Sequence, residues 1–355
     1  MKNDSNRINF LDVFRGLSII LIVIIHAMDA CQTRVILSAF ALQFFFFLSG
    51  INYKCKDDKK NVWKDKFIKI YLPYLSFSIL SILVYLAFLY LKNSSYEISY
   101  FIKKFFIFIF GMFYGSARNN FLGYNTGIMI YNRPLWFLPC LLSVFLIVDS
   151  YETLIKNKDS KDKTILRLLY IVLCFSLGYI LKGLILPFSF ESAIIMASFF
   201  EIGLLSKDIM IKYSKKIEKH KIISIIITIL FILSGYFLLK FNGHTQVRLM
   251  KFGRNYILMI FNCLWMIVPL FIVSCIFENN RLLIHFGKIS MSVLLLHKFP
   301  IMFFKALPFT AKYMKHNNPG YILMIIIILF MCYIGDEILT RICPVIIGKK
   351  KIKKN

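Results

Sequence analysis

Arg15 and His26 are the side chains of this sequence best suited to chemistry, because both are ionisable and both fall in its first apolar stretch, Phe10–His26. Charge in a segment of membrane-spanning character is expensive, so such residues are functional candidates. They stand eleven positions apart. At about 100° per residue they return to one helix face, about 16 Å apart along the axis. Asp12 precedes Arg15 by three residues and pairs with it on that face. One helix thus offers an ion pair at one end and an imidazole at the other. A guanidinium holds fixed charge and a fork of N–H donors suited to phosphate or carboxylate. An imidazole takes and returns a proton near neutral pH. The plainer reading is that Arg15 snorkels to lipid headgroups and His26 rests at an interface.

Four further pieces hold candidates. Phe44–Gly50 ends the second apolar run, with Ser49 supplying a hydroxyl and Gly50 permitting close backbone approach; simple packing of helices through small residues explains it equally well. Arg133-Pro-Leu-Trp136-Phe-Leu-Pro139 opens another run. There Arg133 suits an anionic or hydroxylated ligand, and Trp136 reads either as an aromatic-belt anchor or as the border of a binding mouth. In Gly287–Pro300, His297 follows Ser290 by seven residues, close to mid-depth of a ninth span; the alternative is an imidazole hydrogen-bonded to a neighbouring helix. Glu201 lies between Phe200 and Ile202 with no partner evident along the chain.

The elements that must position these residues are membrane helices. Of 355 residues, 58% are hydrophobic and 17% charged, with mean hydropathy +0.68. Apolar runs close to the roughly 20 residues that cross a bilayer recur throughout. The fold class is therefore all-α, a polytopic membrane helix bundle of about ten transmembrane helices forming one domain over 1–355. Candidate spans are 10–29, 35–53, 67–91, 135–153, 165–183, 190–206, 221–240, 255–277, 289–307 and 320–343. Phe101–Gly115 is apolar but interrupted by Lys103 and Lys104, as a re-entrant or interfacial piece would be. Lysine blocks at 54–66, 156–163, 207–221 and 349–354 place those segments in the cytoplasm under the positive-inside rule. With ten spans both termini are cytoplasmic, and Asp12 and Arg15 lie near the inner surface with His26 near the outer one. The largest outer segment is 92–134, whose Gly- and Asn-rich 115–127 stretch reads as a turn-rich lid or an ordinary loop. Lys2 and Arg7 before the first run suggest a signal peptide, but the run is too long and Ala27–Ala30 lacks a cleavage pattern, so the first helix is retained.

The net charge of +26 does not indicate nucleic acid. The lysines sit in blocks between spans, and no basic face interleaved with stacking aromatics occurs. Eight cysteines show no paired spacing, so no metal or disulfide is expected.

Together, Leu11-Asp-Val-Phe-Arg15-Gly16 with His26, Phe45-Phe-Phe-Leu-Ser49-Gly50, Leu135-Trp136-Phe-Leu-Pro139 and Gly287-Lys-Ile-Ser290 with Leu296-His297 resemble the acyltransferase 3 superfamily of integral-membrane acyltransferases. They are most similar to its fucose 4-O-acetylase-like branch. The resemblance implies a ten-helix enzyme that moves a short acyl group, usually acetyl, from cytoplasmic acyl-CoA to a carbohydrate hydroxyl. Arg15 and His26 match the family's essential pair; Trp136 and His297 match recurrent motif positions. The chain departs from relatives that carry Trp-Ser-Leu followed by Glu, since Trp136-Phe-Leu-Pro139-Cys140 has no acid.

The expected mechanism has Arg15, with Ser49 and Gly50, engaging acetyl-CoA as donor substrate. His26 then serves as base, or as a transient acyl carrier. Asp12 and His297 support them, and Trp136 and Arg133 lie on the acceptor side. No bound cofactor is expected. Partners are the lipid bilayer, acyl-CoA and a carbohydrate acceptor, and the setting is a bacterial inner membrane. The competing reading is a transporter or flippase without chemistry, whose spans would be organised as matched halves; the charged first helix has no counterpart near the sixth.

Overall fold

The computed structural model describes residues 8–92, 97–121, 124–125 and 127–349. Lys2, Arg7, part of the 115–127 stretch and the basic tail beyond Lys349 lie outside them. In chain order the first helices are α1 (Asn9–Ala27), α2 (Gln32–Ser38), α3 (Gln43–Ile51), α4 (Lys59–Lys66), α5 (Leu72–Lys92) and α6 (Ile98–Tyr114). Next come α7 (Phe137–Ile155), α8 (Ser160–Ile180), α9 (Phe190–Lys219), α10 (Lys221–Asn242) and α11 (Tyr256–Ile276). The last are α12 (Arg281–Lys288), α13 (Ser290–Leu296), α14 (Lys298–Ala306), α15 (Pro308–Ala311) and α16 (Tyr321–Ile342). Strand is confined, among the described residues, to two short antiparallel ladders, Asn120–Phe121 with Tyr124–Asn125 and Thr245–Gln246 with Lys251–Phe252. The protein is an all-α polytopic membrane bundle.

Among the described residues, eight segments are long and apolar enough to cross a bilayer: Asn9–Ala27, Gln32–Ile51, Lys59–Leu91, Arg133–Ile155, Ser160–Gly183, Lys221–Asn242, Tyr256–Ile276 and Tyr321–Ile342. The pair Arg281–Lys288 and Ser290–Ala306, bent by 66°, makes a ninth when counted as one span. The tenth expected from sequence, 190–206, forms the first part of α9. It holds Glu191 and Glu201, both fully buried. A helix packed within protein tolerates charges that a lipid-facing one does not, which is why this segment is less apolar than the others.

The helices divide into two compact units, and two of the divisions fall inside α9 and α16. The first unit holds the described residues up to Tyr53, Ile202–Val247 and Lys251–Gly335. In it α1 packs against α3, α11, α12 and α13, and Phe14 meets Phe44 and Phe47 of α3 ring against ring. A side chain at Gly16 would strike the Leu283 carbonyl, and one at Gly287 would strike the Asp12 carbonyl. Backbone therefore meets backbone where α12 crosses α1.

The second unit holds Lys54–Glu201, Arg248–Met250 and the described residues from Asp336. Helix begins at Lys59, well inside the lysine block, and runs on through a π-turn at Phe67–Tyr71. Pro73 supplies no N–H one turn on, which accounts for a local change of hydrogen-bond register there. The Phe-rich 101–115 piece is α6, whose Ile98, Ile102, Phe106, Phe110 and Phe113 are exposed while Phe108, Gly111 and Met112 are buried.

Candidate active site

The site is built on α1. Its interior is a run of Ile, Leu and Val whose outward hydropathy suits a span, and no side chain caps its N-terminus. Asp12 lies in the first turn and His26 in the last, the ends at which the helix dipole favours an acid and a base respectively. Helix α1 is continuous from Asn9 to Ala27, so the eleven-residue separation does place Arg15 and His26 on one face, about 16 Å apart. The expected pairing is present: Arg15 Nη1 lies 3.4 Å from Asp12 Oδ1, with the Asp12 side chain 5% exposed and that of Arg15 29% exposed. Arg15 thus sits between a buried acid and more open surroundings.

Helix α12 meets α1 at Asp12–Gly16, the stretch that holds this ion pair, through the two glycine contacts. The chain then turns at Ile289. The expected span 289–307 is present as Ser290–Ala306, interrupted at His297 between α13 and α14, and it is the second arm of a bent pair whose first arm, Arg281–Lys288, the sequence reading did not include. A helical pattern of apolar residues reports which face is buried and is blind to a bend of this kind. Through the bend, one polypeptide segment touches both functional ends of α1.

At the far end the His297 and His26 rings lie 5.2 Å apart, centroid to centroid, inclined by 33°. His297 is fully buried, with Nδ1 2.9 Å from the Val293 carbonyl one turn earlier in its own segment rather than on a neighbouring helix. His26 is half-buried. Two more ties reach this end of α1. The Tyr321 hydroxyl donates to the Ile24 carbonyl at 3.0 Å, and Lys305 of α14 lies 3.2 Å from Asp29. Sequence reading missed Tyr321, since a tyrosine at the start of a span carries no signal beyond that of the aromatic belt.

Ser49 is half-buried and donates its hydroxyl to the Phe45 carbonyl of its own helix at 2.7 Å; Gly50 is buried. The remaining candidates belong to the second unit. Arg133 is exposed and opens a 3-10 turn that leads into α7, while Trp136 at its end is 3% exposed and packed in protein. The preceding Asn132 is buried and donates to Ser81 at 2.9 Å, which holds the turn in place.

Glu201 does have a neighbour, which the sequence did not suggest. Arg167 makes a two-pronged contact with Glu152, 2.7 Å at Nε and 2.5 Å at Nη2, and its Nε lies 3.8 Å from Glu201. The signal available was a lone arginine inside the apolar run 165–183; its distance along the chain from Glu201 hid the partnership. Both Glu201 oxygens are buried without a hydrogen-bond partner among the described residues.

Chemically, the first unit offers an anion-binding guanidinium balanced by a carboxylate, and a base with a second imidazole beside it. Such a set suits transfer between an anionic donor and a protic acceptor. A family model described as an acyltransferase domain matches residues 8–336, nearly the whole chain. No curated protein and no solved structure matches it.

Proposed function

The chain belongs to the acyltransferase 3 superfamily, and from that premise we propose that it carries an acetyl or similar short acyl group from cytoplasmic acyl-CoA to a carbohydrate hydroxyl. The protein is a membrane acyltransferase; the donor, the acceptor and the fucose 4-O-acetylase-like branch are our reading. Both termini are cytoplasmic in this reading, as the lysine blocks favour. The setting is a bacterial inner membrane, with a cell-surface or lipid-linked glycan as acceptor.

The observation that carries the proposal is the ring contact of His26 with His297 at 5.2 Å, at the opposite end of α1 from the Asp12–Arg15 pair. Arg15 binds the phosphate or pantetheine portion of the donor from the inner side, with Ser49 and Gly50 on the same side. The thioester extends towards His26. There the imidazole removes the hydroxyl proton as the alcohol oxygen attacks the acyl carbon. The carbon–sulfur bond breaks, and the departing sulfur receives that proton from the imidazolium. Ester and free thiol result, with His26 restored.

The test is CoA release from radiolabelled acetyl-CoA by purified protein, with and without candidate glycans. Native protein transfers label to glycan, and His26→Ala, still folded and membrane-embedded, does not. Transfer by that variant at the native rate defeats the proposal. Passage of glycan across vesicles without CoA release indicates a carrier instead.

A further inference from the structure

We propose that His297 is a positioning residue for His26, its buried Nε2 receiving an N–H of the His26 ring in the reacting complex. This rests on the reading of His26 as the base. A carbonyl oxygen can only accept, so the 2.9 Å contact with Val293 fixes the His297 proton on Nδ1. In the neutral ring Nε2 is then a bare acceptor. It has no hydrogen-bond partner among the described residues, and His297 is 0% exposed. A buried polar atom left unpaired calls for an explanation, and use during function is one.

Burial also identifies the donor. An acceptor alcohol on a sugar cannot reach an atom with no accessible surface. The half-buried His26 ring is already beside it, at 5.2 Å between centroids. Subtracting the half-widths of two five-membered rings from that separation leaves a gap that a nitrogen–nitrogen hydrogen bond spans once the nitrogens face one another. The Val293 contact holds the His297 ring and Tyr321 ties the last turn of α1, so the turning falls to the His26 side chain.

The role is well defined in the transfer step. When His26 takes the alcohol proton it has two N–H groups, one facing the substrate and the other donating to His297 Nε2. The contact selects which His26 nitrogen faces the alcohol and steadies the cation without placing a second charge in the site. No proton is transferred to His297. Once the leaving sulfur has taken the proton from His26, both rings are neutral again. This follows the logic by which a base is oriented by a third group.

Two variants and one spectrum test the assignment. A positioned base supplies about 10²–10⁴-fold of rate, and loss of its orienting partner forfeits part of that, so His297→Phe lowers kcat about 10- to 100-fold with KM for donor and acceptor nearly unchanged. His297→Gln, whose amide oxygen reaches the place of Nε2, recovers much of the loss. A purely structural role would lower both variants equally and in step with thermal stability, and that result overturns the assignment. In a long-range proton–nitrogen correlation spectrum of histidine-labelled protein, the resonance lost in His297→Phe belongs to an Nδ1–H tautomer; an Nε2–H tautomer there also overturns it. Loss of activity in His26→Ala with full activity in His297→Phe refutes this inference alone. Full activity in His26→Ala refutes the underlying reading of the base.

Discussion

Gly287→Ala is the sharpest probe of how the site is held. A Cβ at this position would overlap the Asp12 carbonyl oxygen and come within 3.1 Å of the Asp12 Cα. These neighbours are backbone, so no side chain can rotate aside and α12 must move off α1. Relieving the overlap takes a displacement on the order of 1 Å, and overpacking of this kind costs typically 1–3 kcal/mol. Alanine returns about 1 kcal/mol through its better helix propensity, which leaves a net loss of up to about 2 kcal/mol. Thermal unfolding in nanodiscs should therefore fall by a few degrees. The functional effect is larger, because Asp12 is the residue displaced and it holds Arg15 at 3.4 Å; misplacement by about 1 Å can cost about 10²-fold in rate. The donor-concentration dependence of CoA release is the assay, with Gly183→Ala, which has nothing within 4 Å of its added Cβ, as the control. Native stability and native donor dependence in Gly287→Ala would show that this crossing does not position the ion pair, and the argument from backbone contact would fall.

Two other expectations follow from particular contacts. Arg15→Lys keeps the charge but loses the planar fork of donors, so donor KM should rise about tenfold or more while the protein remains folded; unchanged donor dependence assigns Arg15 to anchoring. In the second unit, Arg167→Leu leaves Glu152 and Glu201 buried without their cation, and breaking a buried pair in this way costs about 3–5 kcal/mol. Glu201→Leu removes two oxygens that have no hydrogen-bond partner among the described residues, and should be neutral or stabilising in the same thermal assay. Equal losses from the two variants contradict this account of the cluster.

What was legible in the sequence depended on whether the signal was local. The class of fold followed from repeated apolar runs, and the Asp12–Arg15 pair from a spacing of three within one helix. The common face of Arg15 and His26 likewise needed only an unbroken α1. The 66° bend at Ile289 was not legible, because its first arm, Arg281–Lys288, is short and amphipathic and fell between the expected spans 255–277 and 289–307. Helix α9 was legible in its first part, 190–206, but the burial of Glu191 and Glu201 within protein was not. Arg167 was visible as an intramembrane charge, but its choice of Glu152 and Glu201 is a property of tertiary packing. His297 was legible as a candidate, whereas the unpaired state of its Nε2 emerged only from the position of Val293.

The two ends of α1 are built on opposite principles, and the difference bears on their chemistry. At Asp12–Arg15 a charge is placed in an apolar segment and balanced locally by a buried acid, while the guanidinium side chain keeps 29% of its surface exposed. That arrangement suits a ligand that brings its own negative charge from an aqueous phase, because some of the attraction survives without full desolvation of the arginine. At His26–His297 the neighbour placed against the candidate base is a second imidazole, its ring 5.2 Å away. A base flanked by an anion would hold its proton more tightly after taking it from the acceptor, and would return it to the leaving thiolate less readily. A neutral imidazole partner orients the base without that penalty, so the same proton can be taken and given back within one turnover. In the proposed transfer, fixed charge for binding and a reversible proton for transfer are thereby separated along one helix, about 16 Å apart.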